Sequence, residues 1–307
     1  MLSIKSKARK RLRFTSIFKT TTLSAFCFIG TVSLSGCTSL FYHPTDLMYV
    51  STPSKLENLR QEVEFRSSDG VKLAGWFFPA RKEGHRGALI QFHGNAQNIT
   101  SHFAILYWVI DHGYDFFTFD YRGYGISEGK PSEEGLNRDA LAAIDYIMHR
   151  EPARKKEGKQ IQDIVLYGQS LGGAVLLRAY QDVPEAERAR VRAVIAESTF
   201  YSYHAIARDV LSRFWITYLF QPLADVLISN AYSPKDSIPL VSPTPLLVIH
   251  GDADPVIPIS FGEKIYSLAR PPKTFWKIPG GGHINSMTAF GDLYRSQLLN
   301  YLSLKNY

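Results

Sequence analysis

Apolar residues in this chain fall into short dense runs, separated by longer stretches in which they recur every three or four positions. The dense runs read as strands. Val63–Ser67 and Val71–Phe78 flank Ser68-Asp69-Gly70, a hairpin signal. Gly87–Phe92, Phe116–Asp120, Ile161–Tyr167, Ala193–Glu197, Leu246–His250 and Thr274–Ile278 are further, more buried strands. The periodic stretches read as helices. Ile99–His112 carries a stripe through Phe103, Leu106, Tyr107 and Ile110, and Glu133–His149 is amphipathic. Ala174 opens a third helix, Ala289–Leu302 closes the chain, and residues 151–160 form a charged loop. Strands alternating with helices after an N-terminal hairpin predict an α/β fold. Its sheet is mostly parallel, with right-handed crossovers.

No repeat or low-complexity tract interrupts residues 61–307, so they form one domain with one insertion at about 199–243. The insertion is rich in aromatic residues. Val210, Leu211, Phe214 and Tyr218 fall at helical spacing, which predicts a helical cap. That cap is expected to pack on the core; the sharper alternative is that part of it lines an apolar acyl pocket or touches lipid.

The formal charge of +7 changes little once it is located. Lys5, Lys7, Arg9, Lys10, Arg11, Arg13 and Lys19 hold seven of the 35 basic residues, which leaves 28 against 28 acidic residues in the remainder. A neutral body argues against a nucleic-acid partner. The basic head precedes an apolar run from Leu23 to Leu34 that is too short and weak to span a membrane. Residues 1–36 therefore read as a signal peptide. The run ends in Leu34-Ser35-Gly36-Cys37, which resembles the lipobox of bacterial lipoproteins. That resemblance makes Cys37 the lipidated first residue and residues 37–60 a tether. It places the body on the cell envelope; because Thr38 rather than aspartate follows, a Gram-negative cell would carry it on the outer membrane, facing the periplasm. Phe41, Tyr42, Leu47, Met48, Tyr49 and Val50 are too apolar to stay solvated and are expected to pack on the body. The only other cysteine, Cys27, lies in the run that is removed, so the body has no thiol, as suits an oxidising compartment.

The candidate chemistry centres on Gly168-Gln169-Ser170-Leu171-Gly172, a G-x-S-x-G pattern between a strand and a helix. A sharp turn there lifts the serine hydroxyl clear of the sheet, and the amide of Leu171, at a helix N-terminus, can face a developing oxyanion. A serine nucleophile needs a base and a carboxylate to orient it. Asp254 follows one later strand, in His250-Gly251-Asp252-Ala253-Asp254, and His283 follows the last, after Pro279-Gly280-Gly281-Gly282.

With His93-Gly94-Asn95 and Asp120-Tyr121-Arg122-Gly123-Tyr124-Gly125, these segments resemble the α/β-hydrolase superfamily, in its compact esterase- and thioesterase-like branch. The resemblance covers Gln61 to the C-terminus. It implies Ser170 as nucleophile, Asp254 as orienting acid, His283 as base and the Asn95 amide as second oxyanion donor. It implies cleavage of an ester or thioester through an acyl-enzyme, with a small-molecule or acylated substrate and no cofactor. A prolyl-oligopeptidase-like peptidase and a catalytically silent interaction module are the rival readings. Asp252 and Glu197 are rival acids. His93 and His250 precede glycine at strand ends and read as structural, while His43, His85, His102, His112, His149 and His204 lack that setting. Asn285 and Ser286 either brace the histidine loop or form a solvated turn. No metal-binding or dinucleotide motif occurs, and the oligomeric state is not legible.

Overall fold

The computed structural model describes residues 41–150, 155–156, 159–160, 163–213 and 215–303. The expected signal peptide, Cys37, Ile161 and Phe214 lie outside the described residues. Eight strands form one sheet: β1 (Gln61–Arg66), β2 (Lys72–Phe78), β3 (Gly87–Phe92), β4 (Tyr114–Phe119), β5 (Ile164–Gln169), β6 (Val191–Glu197), β7 (Leu246–Gly251) and β8 (Lys273–Ile278). Their order is β8-β7-β6-β5-β3-β4-β2-β1. Only β2 runs against the rest, pairing antiparallel with β1 and β4. The parallel remainder needs crossovers, and the helices supply them. These are α1 (Ile99–Leu106), α2 (Glu133–Arg150), α3 (Leu171–Ala179), α4 (Tyr203–Ser212), α5 (Gln221–Leu227), α6 (Ile259–Leu268) and α7 (Gly291–Ser303).

Strand alternation divides the core between the two faces of the sheet. Phe77 belongs to the cluster that holds Leu136 of α2 and Leu176 of α3, whereas Trp76 and Phe78 pack on Phe103 of α1, in the cluster that also holds Leu298 of α7. The central strands β3, β4 and β5 are buried throughout, which is why their sequences read as continuous apolar runs. Chain order reverses between β3 and β5. The loops after the carboxyl ends of β3, β5, β6, β7 and β8 therefore gather at one edge, where such folds bind ligands.

Four local expectations need correction. Residues 155–156 and 159–160 form a small antiparallel ladder instead of a plain loop. The helix expected over Ile99–His112 is α-helical only to Leu106 and continues as a 3₁₀ segment, Tyr107–His112, ended by Gly113 at φ 87°. The cap stripe is split: α4 stops at Ser212, and Tyr218 belongs to a separate short turn. Of the tether, Tyr42 is buried, and His43–Pro44 pairs in parallel with Ala96–Gln97. Leu47, Met48, Tyr49 and Val50 stay exposed against expectation. The ladder to Ala96–Gln97 fixes the backbone just before them, and Asn98 holds the carbonyls of Thr45 and Leu47 at the surface.

Candidate active site

Ser170 stands between β5 and α3 at φ 52° and ψ −121°, a conformation that costs a non-glycine residue of order 1–3 kcal/mol. The neighbours hold it there. Its amide donates to the Glu197 carbonyl at 2.9 Å, and its carbonyl accepts from Thr199 Oγ1 at 2.6 Å. A Cβ on Gly172 would lie 2.1 Å from the Phe92 carbonyl oxygen, so only glycine lets α3 start this close to β3.

His283 follows β8, and its Nδ1 lies 2.8 Å from Asp254 Oδ2. The Asp254 side chain is fully buried, and its other oxygen accepts the amides of Val256 and Ile257 at 2.8 and 3.0 Å. Burial pushes its carboxyl up, but the His283 ring and the two amides outweigh that and hold it below the ordinary aspartate range. With a carboxylate at Oδ2, Nδ1 is the donor and Nε2 is left as the ring's proton acceptor. His283 and Ser170 line the same cavity. No hydrogen bond joins Ser170 Oγ to Nε2 in this structure.

The rival acids are placed elsewhere. Asp252 faces the turn before the histidine, taking the Gly280 amide at 2.7 Å and pairing with Lys277 at 3.5 Å. Glu197, at the end of β6, is buried beneath the site. Its Oε2 accepts from Tyr167 Oη at 3.0 Å and from Gln169 Nε2 at 2.8 Å, next to the serine. Its Oε1 takes the Ser286 amide at 3.2 Å and the Ser286 hydroxyl, in the histidine loop. Glu197 thus joins the β5 turn to the loop carrying His283. Ser286 is a buried brace and not a solvated turn.

Leu171 and Asn95 both line the cavity. Leu171 opens α3, so its amide has no intrahelical partner. The Asn95 side chain is committed to the tether: it donates to the Phe41 carbonyl and accepts from the His43 amide at 3.1 Å and Tyr124 Oη at 2.8 Å. His250 braces the acid loop through the Ile257 carbonyl at 2.8 Å. His93 sits 3.3 Å from Asp120 and stacks on His102. Arg122 lies in a buried network with Asp139 and Asp69 away from the cavity.

Two histidines that sequence context set aside, His43 and His102, also line the cavity. His102 lies under Gly94, where a Cβ would meet its ring at 3.3 Å. Burial, and then the nearby His93 ring, lower its pKa from 6.5 to about 4, although the Ala96 carbonyl on Nε2 opposes this. A helical i, i+3 step from Ile99 was the only signal that could have pointed it inward.

The cavity holds about 810 Å³ and is walled mainly by Phe200, Tyr203, Ile206, Ile228 and Ile257. Among the described residues lining it there is no Asp, Glu, Lys or Arg.

The model of the serine aminopeptidase S33 family matches residues 83–238, just over half of the chain. The uncharacterized protein YfhR of Escherichia coli O157:H7 is 38% identical over 268 residues, 86% of each chain. The α/β hydrolase domain-containing protein WAV2 of Arabidopsis thaliana is 30% identical, over 83% of this chain and 82% of that protein. Among solved structures, the esterase Pf2001 of Pyrococcus furiosus superposes with a TM-score of 0.65 at 21% identity, covering 85% of this chain and 97% of that one.

Proposed function

Because the chain belongs to the serine aminopeptidase S33 family of α/β hydrolases, we propose that it is a serine hydrolase acting on a carboxylic ester or thioester. Ser170 attacks the acyl carbon while His283 Nε2 takes its proton. Asp254 holds the imidazole in the required tautomer and stabilises the imidazolium. The amides of Leu171 and Asn95 receive the oxyanion. The leaving alcohol or thiol takes the proton back from His283, water then enters by the same route, and free Ser170 and a carboxylic acid result.

The observation that carries the ester reading is the cavity wall. An aminopeptidase must hold a substrate ammonium, and a buried charge needs a partner. This lining offers no carboxylate among the described residues, whereas its apolar side chains suit an uncharged acyl chain. The N-terminal pattern supports export and lipidation at Cys37, which would keep the enzyme on a membrane through its lipid. A panel of p-nitrophenyl esters of rising chain length, run beside aminoacyl p-nitroanilides, tests the reading. Hydrolysis should favour the esters, with kcat/KM rising into the medium chain lengths. A preference for the free-amino anilides would replace it with the peptidase.

A further inference from the structure

Among the described residues, the outer face of the cap is strongly exposed. Trp215 and Leu219 are 86% and 82% exposed, and Ile216, Tyr218, Phe220 and Val226 are at least half exposed. In α5 only Ala224 is buried. From Trp215 to Leu227 the one charged residue is Asp225, which is paired with Arg208 and lies 3.3 Å from His204. So the face is apolar and nearly free of charge. Monomeric proteins seldom expose such a continuous surface unless something covers it.

The face also runs into the cavity. Val210 and Leu227 are exposed and line its mouth from the cap side; Val256, equally exposed, lines it from the acid loop. Whatever covers the cap therefore sits at the entrance. Phe41 lines the same cavity and packs edge-on against Tyr203 of α4, with ring centroids 6.3 Å apart. Cys37 is four residues upstream, a reach of at most ~14 Å even fully extended. The exposed Leu47 and Met48 lie at the same edge of the sheet, held by Asn98 just before α1.

We infer that the cap face from Trp215 to Leu227 docks on the phospholipid leaflet that holds the N-terminus, and that the substrate is a long-chain acyl ester or thioester drawn from that leaflet. This rests on the serine-hydrolase reading for its chemistry but not for its docking. A lipid layer fits the mouth better than a protein partner, because lipid can pass a chain between Leu227 and Val256, whereas a protein would plug the gap. The acyl chain lies along Ile206 and Ile257, its carbonyl reaches Ser170, and the polar leaving group stays at the interface.

The docking test uses full-length lipidated Ser170→Ala protein in vesicles containing bromine-labelled phosphatidylcholine. Trp215 is the strongly exposed one of four tryptophans, so bromine should quench a component of the emission that Trp215→Phe abolishes. Absence of that component in vesicle-bound protein overturns the docking, as does a dimer in detergent whose formation shields Trp215. The substrate test uses otherwise wild-type protein carrying Trp215→Ser and Leu219→Ser. Hydrolysis of a long-chain ester embedded in vesicles should fall ~10-fold, with hydrolysis of a soluble short-chain ester unchanged. Equal rates on the embedded ester would overturn the substrate assignment. Quenching with no hydrolysis of any ester would sustain the docking and remove the serine-hydrolase reading.

Discussion

Replacing Glu197 by Gln probes how the site is held. The side chain keeps its size but exchanges one acceptor oxygen for an amide. Four donor groups converge on the native carboxyl, two on each oxygen. The Tyr167 and Ser286 hydroxyls can turn to accept from the new amide. The Ser286 backbone amide and Gln169 Nε2 cannot, and Gln169 is further fixed because its own oxygen accepts from Gln91 at 2.9 Å. Either orientation of the introduced side-chain amide thus leaves one buried donor facing another. Such a group costs about 1–3 kcal/mol, and a lost bond to a charged acceptor adds to it, so ~2–4 kcal/mol of stability should go. For a domain of this size that lowers Tm by roughly 5–10 °C. The histidine loop should loosen as well, and kcat should fall ~10- to 100-fold. The assays are thermal and urea unfolding together with p-nitrophenyl ester kinetics, with Asp254→Asn as the contrast. That variant removes the tautomer-holding acid and should lose ~10⁴-fold in kcat, a far larger loss of rate than Glu197→Gln causes. If Glu197→Gln left both Tm and kcat unchanged, the bracing argument would fail. If it matched Asp254→Asn in rate and kept its stability, Glu197 would be the orienting acid.

Two further outcomes follow. His102 has its pKa lowered from 6.5 to about 4, so the folded protein binds fewer protons than the unfolded chain between those values. Its contribution is intact above ~6.5 and is lost as pH falls toward ~4, about 3 kcal/mol in all. His102→Gln should flatten the acid side of the stability–pH curve by that amount; curves of equal slope would show that His102 is protonated in the fold. Cys37→Ala should abolish incorporation of a palmitate analogue while the body keeps its esterase activity, read by metabolic labelling and mass spectrometry. An unmodified Cys37 in an intact chain beginning at Met1 would defeat the lipoprotein proposal.

The parallel sheet was legible because its central strands are buried on both faces and read as unbroken apolar runs, as in Gly87–Phe92. The turn at Ser170 was legible because glycines must stand where backbone passes close, as at Gly172. What escaped depends on contacts between distant segments. Nothing local marks Glu197 as the acceptor for two loops, since its partners at Gln169 and Ser286 lie 28 and 89 positions away. Asp252 and Asp254 look alike in sequence; only the Gly280 amide and the Lys277 ammonium show that Asp252 serves the turn. The split of the cap helix and the small ladder of residues 155–156 with 159–160 were missed because short elements carry too few residues to set a period. The exposure of Leu47 to Val50 ran against a hydropathy reading because the pairing of His43–Pro44 with Ala96–Gln97 fixes where the tether leaves the body.

The proposal that Ser170 is the nucleophile is tested most directly by reaction with a fluorophosphonate. The probe phosphonylates an activated serine with loss of fluoride, and the base and oxyanion donors must act together for this to be fast. Intact-mass analysis after brief labelling should show one adduct, and peptide mapping should place it on Ser170. The adduct should vanish in Ser170→Ala and after heat denaturation, and form far more slowly in His283→Ala. An adduct on another residue, or none on folded protein that hydrolyses esters, would contradict the account.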